Sequence, residues 1–290
     1  MLVIALVGGT VAVSTGPAKA GTRPKSGAAT DCSTAAAQGV ARQTNTRSSQ
    51  LAVTCGLTPV ANGAPASGPA TASPAPAQVG AGDVNTITGT ETAPHVTQSE
   101  DQVWANGSTV VVAYNDSATA PGNYSGLSRS TDSGHTFTRL NPSPFATGHG
   151  TNFGDPIIVF NKKLATWFGG DLADGCGGQG IGLWTSPDAL TWTVGTCAVT
   201  ESQGDRQSMT VDNTPTSPFY GRMYISWNDF NIASGALFVT HSDDGITWSP
   251  LQVTTTFIRD VQIGVTLAGN LLLKAMNEGG GAFNPRQNLV

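Results

Sequence analysis

The chain has 290 residues, with 14 Lys and Arg against 19 Asp and Glu, for a formal net charge of −5. That balance, with no basic run anywhere, excludes nucleic acid as the main partner, because phosphate backbones are held by clustered Lys and Arg. Only 11% of residues are charged while 36 are Gly and 17 Pro, a composition that suits many turns and short strands and excludes a long-helix protein.

The first twenty residues, MLVIALVGGTVAVSTGPAKA, form an apolar run closed by Ala18-Lys19-Ala20. They read as a secretory signal peptide (1–20), which is too short to span a bilayer. The basic segment that opens such a signal is missing, so the real start is expected upstream of Met1. Export makes the four cysteines disulfide partners, and three pairings exist. Cys32–Cys55 with Cys176–Cys197 is the most local of them. The second pair is centred on Ser186 and would face across a hairpin turning there; free or differently paired thiols are the alternative.

Residues 21–92 read as a low-complexity arm. Within it, 57–83 is rich in Ala, Pro, Gly and Ser and buries too little apolar surface to offset its ordering entropy. From 93 onward short β runs follow one another. STVVVAYND (108–116), KLATWFGGD (163–171), GRMYISWND (221–229) and GNLLLKAMNE (269–278) align, each preceded by another apolar run. The first three are followed by a strand-like segment that enters a Ser-x-Asp turn. With a closing strand after the turn, this gives four strands per unit at period-two alternation.

The turns are STDSGHTF from Ser130, SPDALTW from Ser186 and SDDGITW from Ser242, and their serines stand 56 residues apart. A constant step of this size marks repeated supersecondary units. The hydroxyl and the carboxylate of Asp132, Asp188 or Asp244 can accept backbone N–H bonds in a tight turn. Gly134 and Gly245 can supply positive φ, and Phe137, Trp192 or Trp248 starts the outgoing strand and packs on the next hairpin. These aspartates are therefore expected to staple turns and to take no part in catalysis.

The motifs resemble the Asp-box, or bacterial neuraminidase repeat, of sialidase-like β-propellers. The resemblance covers about 93–290 and implies an all-β ring of six or seven four-stranded blades. Three and a half blades are present, and the next box would fall past Val290, so a fragment of a longer propeller is expected. The second copy lacks the glycine. A sialidase site would also need an arginine cluster, a Tyr nucleophile with a Glu partner, and an Asp acid/base. The usual Arg-Ile-Pro segment is absent, and Tyr114, Tyr124, Tyr220 and Tyr224 have no nucleophile context.

Strand direction sorts the remaining charges. In an up-and-down blade the first strand begins on the face where the second ends, opposite the Ser-x-Asp turns. Glu100-Asp101, Asp155, Asp205-Arg206 and Arg259-Asp260 stand at first-strand starts. Asn115-Asp116, Asp171, Asn228-Asp229 and Asn277-Glu278 stand at second-strand ends. Crowded carboxylates have their pKa values pushed apart, as general acid and base roles require. Asp155 and Asp205 are the candidate catalytic acids. Arg206, Asp260, Asp101 and Asp229 are the candidate substrate-binding residues. No cofactor is expected: the four histidines lack metal spacing, and Asp171 with Asp174 is a weak calcium candidate. The expected partner is a glycan or polysaccharide, handled by a secreted hydrolase or a degenerate relative. A non-catalytic binding module for polysaccharide or protein is the alternative, and a cell-surface structural part has little support.

Overall fold

A computed structural model describes residues 32–33, 55–57, 82–92, 95–277 and 287–289, with 259–260, 276–277 and 287–289 described by backbone alone. The expected leader and most of the arm, including 58–81, lie outside the described residues. Three four-stranded antiparallel sheets follow in chain order. The first holds β1 (Gln98–Asn106), β2 (Thr109–Asp116), β3 (Ser125–Ser130) and β4 (Thr138–Leu140). The second holds β5 (Asn152–Asn161), β6 (Thr166–Ala173), β7 (Gly180–Ser186) and β8 (Thr193–Val199). The third holds β9 (Gly204–Val211), β10 (Met223–Asp229), β11 (Ala236–Ser242) and β12 (Ser249–Phe257). A fourth sheet pairs β13 (Arg259–Val265), β14 (Leu271–Asn277) and β15 (Gln287–Leu289).

Within each sheet spatial order follows chain order, so each strand pairs antiparallel with the next one along the chain. The first strands meet one another: β1 packs on β5, β5 on β9 and β9 on β13. Sheets that meet through successive first strands are propeller blades, with those strands innermost.

Period-two alternation explains how one inner strand serves two interfaces. Ile158 and Phe160 of β5 face blade 1 and join Val111, Leu127 and Phe145 in one cluster. Ile157 and Val159 of the same strand face blade 3 and join Met209, Met223 and Trp227. All ten residues of β5 are buried, the pattern of a strand covered on both faces.

Packing against blade 1 begins before 93. Ser128 Oγ donates to Thr86 O at 2.7 Å, and Arg139 pairs with Glu91 at 3.1 Å. Thr86 and Glu91 thus dock on β3 and β4 of blade 1.

The three Ser-x-Asp turns share one hydrogen-bond pattern. The serine Oγ donates to the Asp carboxylate at 2.7 Å in the first, 3.0 Å in the second and 2.9 Å in the third. The same carboxylate accepts the N–H of Thr136, Thr191 or Thr247 at 2.7–2.9 Å. Gly134 and Gly245 adopt φ 88° and 75°, and Ala189 takes the left-handed position in the copy without glycine, at φ 58°. Each aromatic sits one residue ahead of its strand. Trp192 packs edge-on against Phe145, with ring centroids 5.2 Å apart.

Both disulfides close, Cys32–Cys55 and Cys176–Cys197. The route to the second differs from a hairpin centred on Ser186. Residues 187–192 form the turn, and a register shift between Gly182 and Trp184 places Cys197 opposite Gly182. Cys176 reaches it from a 3-10 turn (Asp174–Cys176) that precedes β7.

Candidate active site

Each inner strand carries a β-bulge near its start, at Ser99/Gln102 in β1, Gly154/Ile157 in β5 and Arg259/Gln262 in β13. The pairing of β9 with β10 is shifted at the same level, between Ser226 and Asn228. Three non-glycine residues at these bulges adopt left-handed backbone: Glu100 at φ 52°, Asp155 at 56° and Arg206 at 57°. A bulge turns the side chain of its extra residue out of the pleat. Here it brings charged groups from successive blades to one place.

Asp155 is the centre of this group and is buried. Asn115, at the end of β2 in blade 1, accepts the Asp155 N–H at 2.5 Å. The Asn115 Nδ2 donates to Glu100 at 2.6 Å and stands 3.5 Å from Asp155 Oδ1. From blade 3, the Arg206 N–H donates to Asp155 Oδ2 at 3.3 Å, and Gln207 Nε2 donates to the Asp155 carbonyl. Gly154 precedes it at φ 87°, where a Cβ would lie 2.2 Å from Asn115 Oδ1, so only glycine admits this contact.

Burial pushes the Asp155 carboxyl well above the usual carboxylate range, helped by the charge of Asp205 and by a hydrogen bond and charge from Glu100. Asp205 is fully buried, and its carboxylate stands 3.8 Å from Arg206 Nε. The Arg206 guanidinium lies 5.8 Å from the centroids of both Phe230 and Phe257, a cation–π arrangement that fixes its plane.

The other expected residues divide. Asp101 is exposed, and Glu100 beside it is the residue that reaches Asp155. Asp116 is drawn away into a buried ion pair with Arg139. Asp171 is fully buried by blade 1, where burial raises its pKa strongly with only Ser125 opposing. Asp174 caps the Thr151 N–H at 3.0 Å. Neither belongs to a group of three His, Cys, Asp or Glu ligands among the described residues. Asp260 lies in β13 by backbone, and its side chain is outside the described residues.

Asp229 accepts two bonds from Asn231, at 2.8 and 2.9 Å, and stands beside a carboxyl that the strand-start rule missed. That carboxyl is Glu201, in the β8–β9 connection. Burial and then the charge of Asp229 push its pKa from 4.5 up to about 9. A Cβ on Gly204 would stand 2.3 Å from the Glu201 carboxylate, so the glycine opening β9 makes room for it. A Glu followed three residues later by the glycine that opens an inner strand is the signal that could have found it.

No protein-family model matches the chain, and no curated protein matches it. Solved structures do. An exo-β-1,3-galactanase from Phanerochaete chrysosporium, bound to galactose, is 19% identical over 71% of this chain and 50% of its own, with a TM-score of 0.47. An α-L-arabinanase from Penicillium chrysogenum, complexed with arabinobiose, is 12% identical over 69% of each chain, with a TM-score of 0.45. A glycosyl hydrolase from Bacteroides ovatus is 17% identical over 62% of this chain and 55% of its own, with a TM-score of 0.36. The chain spans about half the length of the galactanase.

Proposed function

We propose that the chain supplies the mouth of an exported propeller that acts on glycans, as a glycoside hydrolase of exo type working without a cofactor. Asp155 carries the reading. Its carboxyl holds a proton above the usual range, at a point where side chains of three blades converge. Two disulfides agree with export, and no helix among the described residues is long and apolar enough to cross a membrane.

Glycoside hydrolysis needs one carboxylic acid to protonate the leaving oxygen and a second carboxyl to attack or to activate water. Asp155 is the acid in this proposal. Glu100 is hydrogen-bonded to Asp155, closer than the roughly 5 Å that the second carboxyl needs, so it helps to keep the proton on Asp155 and the second carboxyl comes from the rim. Asp205 is fully buried, so it acts through Asp155 by keeping the proton in place. Arg206, oriented by its two phenylalanines, is the clamp for a sugar hydroxyl or, in a sialidase-type reaction, for the substrate carboxylate. Asp101 and Asp229, with Asp260 by its place in β13, remain the candidate substrate-binding residues of the rim.

The test is an assay of the full chain on a panel of sialosides and neutral glycans. Asp155→Asn should lower kcat by about 10²- to 10⁴-fold while leaving glycan binding in place. Arg206→Ala should weaken binding of acidic sugars more than neutral ones. If both variants fold and turn over every glycan as the parent does, the site lies elsewhere. A parent that binds glycan and hydrolyses nothing would replace the hydrolase with the binding module.

A further inference from the structure

Blade 2 carries a second cluster with no part in the mouth. The ligand atoms of His149, Cys176 and Cys197 all lie within 4.8 Å of one another. His149 and Cys176 are buried and Cys197 is half-buried. His149 Nε2 faces the Leu183 carbonyl at 3.0 Å. A carbonyl only accepts, so Nε2 carries the proton and the Nδ1 lone pair is free to point elsewhere. It points at the two sulfurs, 3.6 Å from Cys176 Sγ and 3.8 Å from Cys197 Sγ.

We propose that the Cys176–Cys197 disulfide is the closed form of a metal site, and that reduction turns His149, Cys176 and Cys197 into three ligands for a tetrahedral zinc ion. The geometry carries this. With Zn–S of about 2.3 Å and Zn–N of about 2.1 Å, tetrahedral angles set nitrogen and sulfur about 3.6 Å apart and two sulfurs about 3.8 Å apart. The nitrogen–sulfur separations, 3.6 Å to Cys176 and 3.8 Å to Cys197, stand at or close to that value. Only the two sulfurs, now bonded to each other, must part. The Nε2–H bond to a carbonyl is the support that zinc-bound histidines use to fix tautomer and ring plane.

The surroundings hold the ring for this task. It meets Trp184 edge-on, with centroids 4.8 Å apart. A Cβ on Gly182 would stand 2.7 Å from it. The 3-10 turn bearing Cys176 is tied to the histidine by the Gly175 N–H, which donates to His149 O at 2.8 Å. Packing alone would not require a lone pair aimed at both sulfurs.

The chemistry balances. A dithiol supplies two electrons and two protons, the S–S bond breaks, two thiols form, and the reductant leaves as its own disulfide. Zinc then binds both sulfurs as thiolates, with the two thiol protons passing to solvent, and water takes the fourth position from the half-buried Cys197 side.

The test uses the full chain with Cys32→Ser and Cys55→Ser, so that only this pair can be reduced. The protein is reduced with a dithiol, freed of it by anaerobic gel filtration and titrated with Co²⁺. One cobalt per chain should bind, with the charge-transfer absorption of thiolate–cobalt bonds, and Zn²⁺ should displace it. His149→Ala should weaken cobalt binding by at least about tenfold. The oxidised protein should show no such band. A reduced protein without the band would overturn the proposal, as would a band unaffected by His149→Ala. So would a loss of β-sheet circular dichroism on reduction that cobalt fails to reverse.

Discussion

Glu100, Asp155 and Arg206 occupy one backbone position in successive blades, all left-handed. An L residue in that conformation costs about 1–2 kcal/mol. Such strain persists where the surrounding structure needs the side chain aimed as it is. Ala165 and Ala189 are also left-handed, at φ 50° and 58°, but differ in burial. Ala165 is exposed in the β5–β6 turn, so Ala165→Gly should raise stability by about 1 kcal/mol in urea unfolding. Ala189 is fully buried in the cluster with Phe145 and Trp184. Removing its methyl costs about as much as the strain relief returns, so Ala189→Gly should change little. A large gain at both sites, or at neither, would refute this separation of strain from packing. Of the mouth, the charges at strand starts were legible in the sequence, because a strand boundary can be read from its flanking turns. Which neighbour turns inward was not legible. The bulge lifts Glu100 toward Asp155 and leaves Asp101 outside, and a bulge depends on pairing register, which composition does not record.

Among elements, the interface of blades 1 and 2 turns on one aromatic plug. Phe145 lies in a short 3-10 turn (Pro144–Ala146), fully buried, stacked on Trp184 with centroids 4.8 Å apart. Gly169 of β6 lies under it, and a Cβ there would stand 2.2 Å from the Phe145 ring. Phe145→Ala should cost about 3–5 kcal/mol. Gly169→Ala should also destabilise, and the double variant should cost less than the two singles combined, since removing the ring removes the clash. Strict additivity would show that the ring and the glycine do not meet. The strand pattern was legible because the 56-residue step repeats strand, turn and aromatic together. The plug was not, since a Ser-Pro-Phe segment between blades has no period of its own. The second disulfide closes a loop with a sequence separation of 21 and should stabilise by about 3 kcal/mol in the chain-entropy model. Comparing the oxidised chain with Cys176→Ser/Cys197→Ser measures it. A double variant as stable as the parent would contradict that contribution.

Over the whole molecule, two populations of carboxylates titrate in opposite directions. At the Ser-x-Asp turns Asp132, Asp188 and Asp244 are held down by hydrogen bonds, Asp244 to about 2 by the N–H groups of Thr247 and Ile246. A carboxyl lowered on folding stabilises the native state above its unfolded value and loses that contribution as pH falls through the folded one. The Asp244 share is therefore lost between about 3.8 and about 2. At the blade interfaces and the mouth, Asp155, Asp171 and Glu201 are pushed up, mainly by burial. A carboxyl raised on folding binds its proton more tightly in the native state. Its contribution is complete below the unfolded value and is lost as pH rises through the folded one. For Glu201 that window runs from 4.5 to about 9. The two populations leave a stability maximum in mild acid, between the acid window of the turns and the alkaline window of the mouth. Thermal unfolding followed from pH 2 to pH 9 should show a midpoint that climbs, peaks at about pH 4–5 and then declines. Glu201→Gln keeps the shape of the side chain without a titrating proton, so it should flatten the alkaline decline and leave the acid limb alone. Asp244→Asn should do the reverse. If Glu201→Gln leaves the alkaline limb as steep as in the parent, the carboxyl beside Asp229 is not the group that holds the proton.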